Sequence, residues 1–221
     1  LIHGQEEITE CQGKYSDIYK KIAFQTNCLL ISIDYEEKKQ TYHELIEEIY
    51  QVVNHIDKGL QENGVDEDKI ILMGDSTGGN IITSLQNWNP KELKIKKEVL
   101  FYPTLSLEYF GKTKFPSITQ NQDLNFNLIP QLKKYYLKIS DSQELTDSIF
   151  HPIEREETIP KTLLFVGSVD CLKDEVEDYA KKHEKQTTYI EYPFLSHGFL
   201  KRLEKEEEKH MIDAINKLIE E

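Results

Sequence analysis

Read from its first residue, the chain alternates short apolar runs with longer amphipathic stretches. Residues 29–34, Leu-Leu-Ile-Ser-Ile-Asp, are rich in β-branched side chains. Such a run suits a strand buried on both faces of a parallel sheet, and it is read as a central strand. Across residues 41–60 the apolar positions Leu45, Ile46, Ile49, Val52, Val53, Ile56 and Leu60 recur at helical spacing, and Gly64 follows near the end of the pattern. Further strands are predicted at 69–73, at 98–102 where Pro103 ends the run, at 161–166 and at 187–192. Helices are predicted at 77–88, at about 173–183, and at the C-terminus with Met211, Ile212, Ile215, Leu218 and Ile219 on the inner stripe. Strands alternating with helices in this way specify an open, mostly parallel α/β sheet.

Two stretches depart from the rhythm. Leu-Ile-His-Gly, residues 1–4, reads as the tail of a strand entering a loop. Residues 105–159 are polar, rich in Asn, Gln and Ser, and hold one convincing amphipathic helix at about 125–137. They are read as a lid-like excursion from a single domain spanning residues 1–221.

Composition narrows the function classes. With 38% hydrophobic and 30% charged residues in 221, the chain has enough apolar sequence for one domain core and is too apolar to be disordered. A formal net charge of −13 argues against nucleic acid and anionic lipid as partners, because both repel it at long range. No apolar run approaches the roughly 20 residues that a membrane span needs. Cys11, Cys28 and Cys171 form no paired framework and have no metal-type spacing, so the expectation is a reducing, cytoplasmic location and no metal.

The chemistry is carried by Gly74-Asp75-Ser76-Thr77-Gly78-Gly79-Asn80, which stands between a predicted strand and a predicted helix. This is Gly-x-Ser-x-Gly in the context its chemistry requires, where a strained turn lifts the serine hydroxyl clear of the sheet. The backbone N–H of Thr77, at the helix start, is then aimed where a tetrahedral oxyanion would form. A Gly-rich turn that merely caps a helix through Ser76 is the plainer alternative.

Serine needs a base, and the base needs a group to orient it. Asp170 lies just past the strand at 161–166, and His197 lies in the loop after the strand at 187–192. Both therefore fall at the C-terminal edge of a parallel sheet, where such sheets present their functional loops. Asp170 also stands just ahead of a helix, so helix N-terminal bonding is its alternative role, and His197 could be a satisfied loop histidine. His43, His55, His183 and His210 fall within helical patterns and are read as surface residues; His151 has no evident partner.

These residues resemble the hormone-sensitive-lipase-like branch of the α/β-hydrolases, which includes arylacetamide deacetylase-like proteins and many small bacterial esterases. Ile31-Ser-Ile-Asp-Tyr35 resembles the branch's strand ending in Asp-Tyr, and Gly74 to Asn80 is similar to its GDSAGGN box with Thr77 in place of alanine. Phe101-Tyr-Pro103 resembles a strand end of the branch; Asp170-Cys-Leu-Lys-Asp-Glu175 is close to its DPLxDE block, and Ser196-His-Gly-Phe199 matches its HGF. The resemblance implies a mostly parallel α/β-hydrolase sheet flanked by helices. It also implies a Ser76, Asp170, His197 triad, a small carboxylic ester as substrate and no cofactor.

Two departures bear on activity. The branch carries HGGG in the loop that completes the oxyanion hole, whereas this chain reads His3-Gly4-Gln5-Glu6. Gly4 and Gln5 are expected to supply backbone N–H donors there alongside Thr77, with the Glu6 carboxylate an unfavourable neighbour for a developing negative charge. Strands and a cap-forming segment ahead of that loop are also absent from these residues, so one sheet edge is expected to be open, covered by a partner chain or by a preceding segment. The leading reading is an esterase acting through an acyl-enzyme on Ser76. The rival is a catalytically weak or silent member of the fold that serves as a binding or scaffold subunit.

Overall fold

Period two along the strands sorts the apolar side chains onto two faces, and each face has its own core. The computed structural model describes residues 1–4, 14–35, 41–88, 95–106, 148–156 and 158–221. Four parallel strands, β1 (Ile71–Asp75), β2 (Lys97–Phe101), β3 (Lys161–Gly167) and β4 (Thr187–Tyr192), pair in sequence order. Met73 is level with Val99 and Val99 with Leu163, so the three central strands are in step.

Leu72, Leu100, Leu164 and Val166 face one core. There they meet α2 (Tyr42–Glu62), α3 (Thr77–Trp88) and α4 (Lys173–Lys182) through Leu45, Ile46, Ile49, Ile81, Leu85, Val176 and Tyr179. Met73, Val99, Phe101, Leu163 and Phe165 face the other, against α1 (Lys14–Thr26) and α5 (Lys205–Glu220). Burial on both faces explains why β2 and β3 read as continuous apolar runs rather than as alternating ones.

Local signals agree with the boundaries. Thr41 caps α2: the Glu44 N–H donates to Thr41 Oγ1 at 3.3 Å, and the Thr41 N–H donates to Glu44 Oε2 at 2.7 Å, a reciprocal capping box. Helix α5 begins at Lys205, and its stripe of Met211, Ile212, Ile215 and Leu218 is buried. Lys21 of α1 is tied to Glu208 of α5 at 2.7 Å.

One expectation is corrected. Among the described residues, 29–34 are not a central strand: Ile33 makes a β-bridge to Ile2, which also bridges to Gly74 of β1. The run thus lies outermost of the described sheet, with Leu29 81% and Ile31 38% exposed. Its apolar composition matches a buried strand, but among the described residues Leu1 and Ile2 pair with it on one side. An apolar cavity of about 280 Å³ lies beside this edge, lined by Leu1, Leu30, Ile31, Ile56, Ile71 and Ile219 among others, and it includes none of Ser76, Asp170 or His197.

Helix α1 is an element that apolar spacing did not predict. Its buried residues Ile18, Tyr19 and Ile22 make only a short stripe among charged neighbours. Most of the excursion read at 105–159, including its helix at 125–137, lies outside the described residues. Among the described residues, no helix is long and apolar enough to cross a membrane.

Burial predicts the mutational response. Leu164→Ala, at a fully buried position of β3, should cost about 2–5 kcal/mol. Leu29→Ala should change stability by no more than about 0.5 kcal/mol. Urea melts of both variants against the parent check this.

Candidate active site

Ser76 occupies a turn that the backbone resists. It links β1 directly to α3 with φ of 52°, a left-handed conformation unusual for a residue with a side chain. Three backbone bonds hold it: the Ser76 N–H donates to Phe101 O at 2.9 Å, and its carbonyl accepts from Thr104 at 3.1 Å and Asn80 at 3.2 Å. Gly78 answers a separate demand, since a Cβ there would lie 2.1 Å from Ile2 O.

The turn delivers Ser76 Oγ to 2.9 Å from His197 Nε2. The other ring nitrogen, Nδ1, faces Asp170 at 3.1 Å from Oδ1 and 3.0 Å from Oδ2. Folding thus joins a hydroxyl, an imidazole and a carboxylate that stand 121 and 27 residues apart along the chain. An N–H on Nδ1 directed at the carboxylate leaves Nε2 as the acceptor facing the serine.

The surroundings restrain each member. Asp170 is buried, and its Oδ1 also accepts the Leu172 N–H at 2.8 Å. One carboxylate therefore bonds both the backbone just ahead of α4 and the His197 ring. The His197 ring rests against the Tyr102 ring, with centroids 4.8 Å apart. Arg202 donates to the His197 carbonyl and to Ser196 Oγ, each at 2.7 Å, which fixes the loop that carries the imidazole.

The expected oxyanion donors fare differently from one another. Thr77 is the first residue of α3, at the positive end of the helix dipole. The Gly4 N–H donates to Asp75 Oδ1 at 3.1 Å, so a buried carboxylate engages the donor expected to serve an oxyanion. Burial pushes the Asp75 carboxyl above the usual range, and that desolvation is what makes it seek donors. Gln5 and Glu6 lie outside the described residues. His183 is buried rather than on the surface and packs on the Tyr179 ring at 4.7 Å, and buried His151 finds Ser106 Oγ at 3.1 Å.

Comparison with known proteins gives the family. The alpha/beta hydrolase fold family model matches residues 2–201, and the chain belongs to that family. It is 27% identical over 159 residues to an arylesterase of Saccharolobus solfataricus, covering 69% of this chain and 51% of that protein. It is 25% identical over 128 residues to arylacetamide deacetylase-like 3 of Mus musculus, covering 56% and 31%. Among solved structures, carboxyl esterase 2 of Tuber melanosporum superposes with a TM-score of 0.85 at 21% identity, covering 99% of this chain and 76% of that one. These relatives agree with the branch read from the motifs. The chain spans about half the length of the arylesterase it matches.

Glu175, in the first turn of α4, lies near Asp170 and accepts the Leu105 N–H at 2.7 Å. Burial pushes its carboxyl from the ordinary 4.5 up to about 8. Between those two values the folded protein holds a proton that the unfolded chain has released, so stability falls as pH rises from about 4.5 to about 8. Urea melts across this range should show the parent losing stability relative to Glu175→Gln, by at most about 1.4 kcal/mol per pH unit.

Proposed function

We propose that this chain hydrolyses carboxylic esters through an acyl-enzyme on Ser76. The observation that carries the reading is the continuous relay from Asp170 through His197 to Ser76, with both links at hydrogen-bonding distance. Membership of the alpha/beta hydrolase fold family, with esterases among the relatives, supports it further.

In this mechanism Ser76 Oγ attacks the ester carbonyl carbon as His197 Nε2 takes its proton. The resulting imidazolium is stabilised by the Asp170 carboxylate. Collapse of the tetrahedral intermediate breaks the bond to the leaving alkoxide, which takes the proton back from Nε2. Water, activated in turn by His197, then releases the acid and restores the serine. Only a neutral His197 imidazole can accept the first proton. The Thr77 N–H is assigned to the oxyanion, and no metal or organic cofactor enters any step.

The engagement of Gly4 by Asp75 favours one alternative, a weak or silent binding subunit, because losing one oxyanion donor costs roughly a hundred- to a thousandfold in rate. Steady-state hydrolysis of short-chain p-nitrophenyl esters separates the two readings. Turnover that falls at least about 10³-fold in Ser76→Ala supports the esterase. Asp170→Asn should lower kcat by up to about 10⁴-fold through the wrong histidine tautomer. Equal background rates in parent and Ser76→Ala, with no fluorophosphonate labelling of Ser76, would establish the silent subunit.

A further inference from the structure

Asp75, the residue before Ser76, is only 1% exposed, yet it does not belong to the relay just described. Its Oδ1 accepts two hydrogen bonds from distant parts of the chain: the Tyr19 hydroxyl at 2.6 Å and the Gly4 N–H at 3.1 Å. Gly4 precedes residues 5–13, and Tyr19 stands in the helix that follows them. One carboxylate therefore joins the two flanks of that segment, directly against the nucleophile turn.

The same peptide group is held at its other end. The carbonyl of His3, which shares a planar peptide with the Gly4 N–H, accepts the Tyr35 hydroxyl at 2.6 Å, and the His3 ring stacks on Tyr35 with centroids 5.0 Å apart. Donor and acceptor ends of one rigid plane are thus tied to different elements, which fixes its orientation. There is no slack beneath it. A Cβ on Gly4 would lie 2.9 Å from Asp75 O and 3.1 Å from Ser76 Cβ.

We propose that Tyr19 is a positioning residue for the chemistry at Ser76, its hydroxyl acting through the Asp75 carboxylate to hold the His3–Gly4 peptide in place against the nucleophile turn. The proposal rests on the reading of Ser76 as nucleophile. Tyr19 is suited to the role: it is 4% exposed, and it packs in the core that contains Met73 of β1 and Ile22 of its own helix. Donors to an ionised carboxylate make the stronger class of hydrogen bond, and Asp75, shut away from water, depends on the few it has. Without the tyrosine hydroxyl the carboxylate protonates more readily, and a protonated oxygen is a poorer acceptor for Gly4. With its N–H committed to Asp75, the Gly4 peptide serves the site as a fixed wall against the nucleophile turn and not as an oxyanion donor.

The test compares parent, Tyr19→Phe, Asp75→Asn and the double variant of the 221-residue chain, assayed on p-nitrophenyl butyrate well below each melting temperature. Tyr19→Phe should lower kcat about tenfold with KM changed by less than about twofold. Because the hydroxyl acts through the carboxylate, the same substitution should have under about a twofold effect in the Asp75→Asn background. Amide hydrogen exchange adds a readout independent of turnover: the Gly4 N–H should exchange at least about tenfold faster in Tyr19→Phe, while the β1 amides keep their rates. Unchanged kcat and unchanged Gly4 exchange overturn the proposal. So do a change confined to KM and an acceleration of exchange spread evenly over β1, since these report substrate contact or general loosening. If the parent shows no turnover, the esterase reading fails, and Gly4 exchange alone decides whether Tyr19 holds the loop.

Discussion

Everything at this site depends on one serine being held in a backbone conformation it would not adopt alone. Ser76 can remain at φ 52° only because its N–H and carbonyl are bonded to Phe101, Thr104 and Asn80, residues of the neighbouring strand, its exit loop and the following helix. The strain is local, and the restraint comes from the sheet. A turn left to relax would carry the hydroxyl away from His197.

The parallel sheet supplies the second half of the arrangement. Strands that all run one way bring their exits to one rim, so the loops after β1, β3 and β4 can meet although their sequences are far apart. Asp170 and His197 reach Ser76 from those exits; the Leu172 N–H steadies the Asp170 carboxylate and the Arg202 guanidinium holds the His197 carbonyl. Buried carboxylates recur around them. Asp75 sits before the serine and Glu175 beyond Asp170, and each accepts a backbone N–H from the loops that shape the site. Their desolvation is offset by donors that would otherwise be available elsewhere, as Gly4 illustrates.

Much of this was readable from residue pattern. Helix α3 and strand β4 fall where spacing predicted them, and the inner stripe of α5 is buried as read. The failures share a cause. Residues 29–34 have the composition of a buried strand, but composition does not count neighbours, and among the described residues the run is paired on one side, with Leu1 and Ile2. Helix α1 escaped because its inward face is short, and its polar anchor, Tyr19, looks in sequence like any amphipathic aromatic. His183 and His151 sit in polar-looking stretches but are buried, His183 against Tyr179 of the helix it caps and His151 against Ser106, 45 residues away in sequence.

For the chemistry the division is similar. Gly-x-Ser-x-Gly between a strand and a helix, followed in order by an aspartate and a histidine at later strand exits, pointed to three side chains that the fold brings within bonding distance, because local turn geometry resides in residue type and short-range spacing. Which groups bond to which was settled only when the chain folded. Ser76 and His197 are separated by 121 residues, and Gly4 and Asp75 by 71. Nothing in either spacing indicates that the first pair is hydrogen-bonded, or that the second engages an expected donor. Hydrogen bonds are decided by distance and direction in space, and burial turns a compatible pair of side chains into an obligatory one.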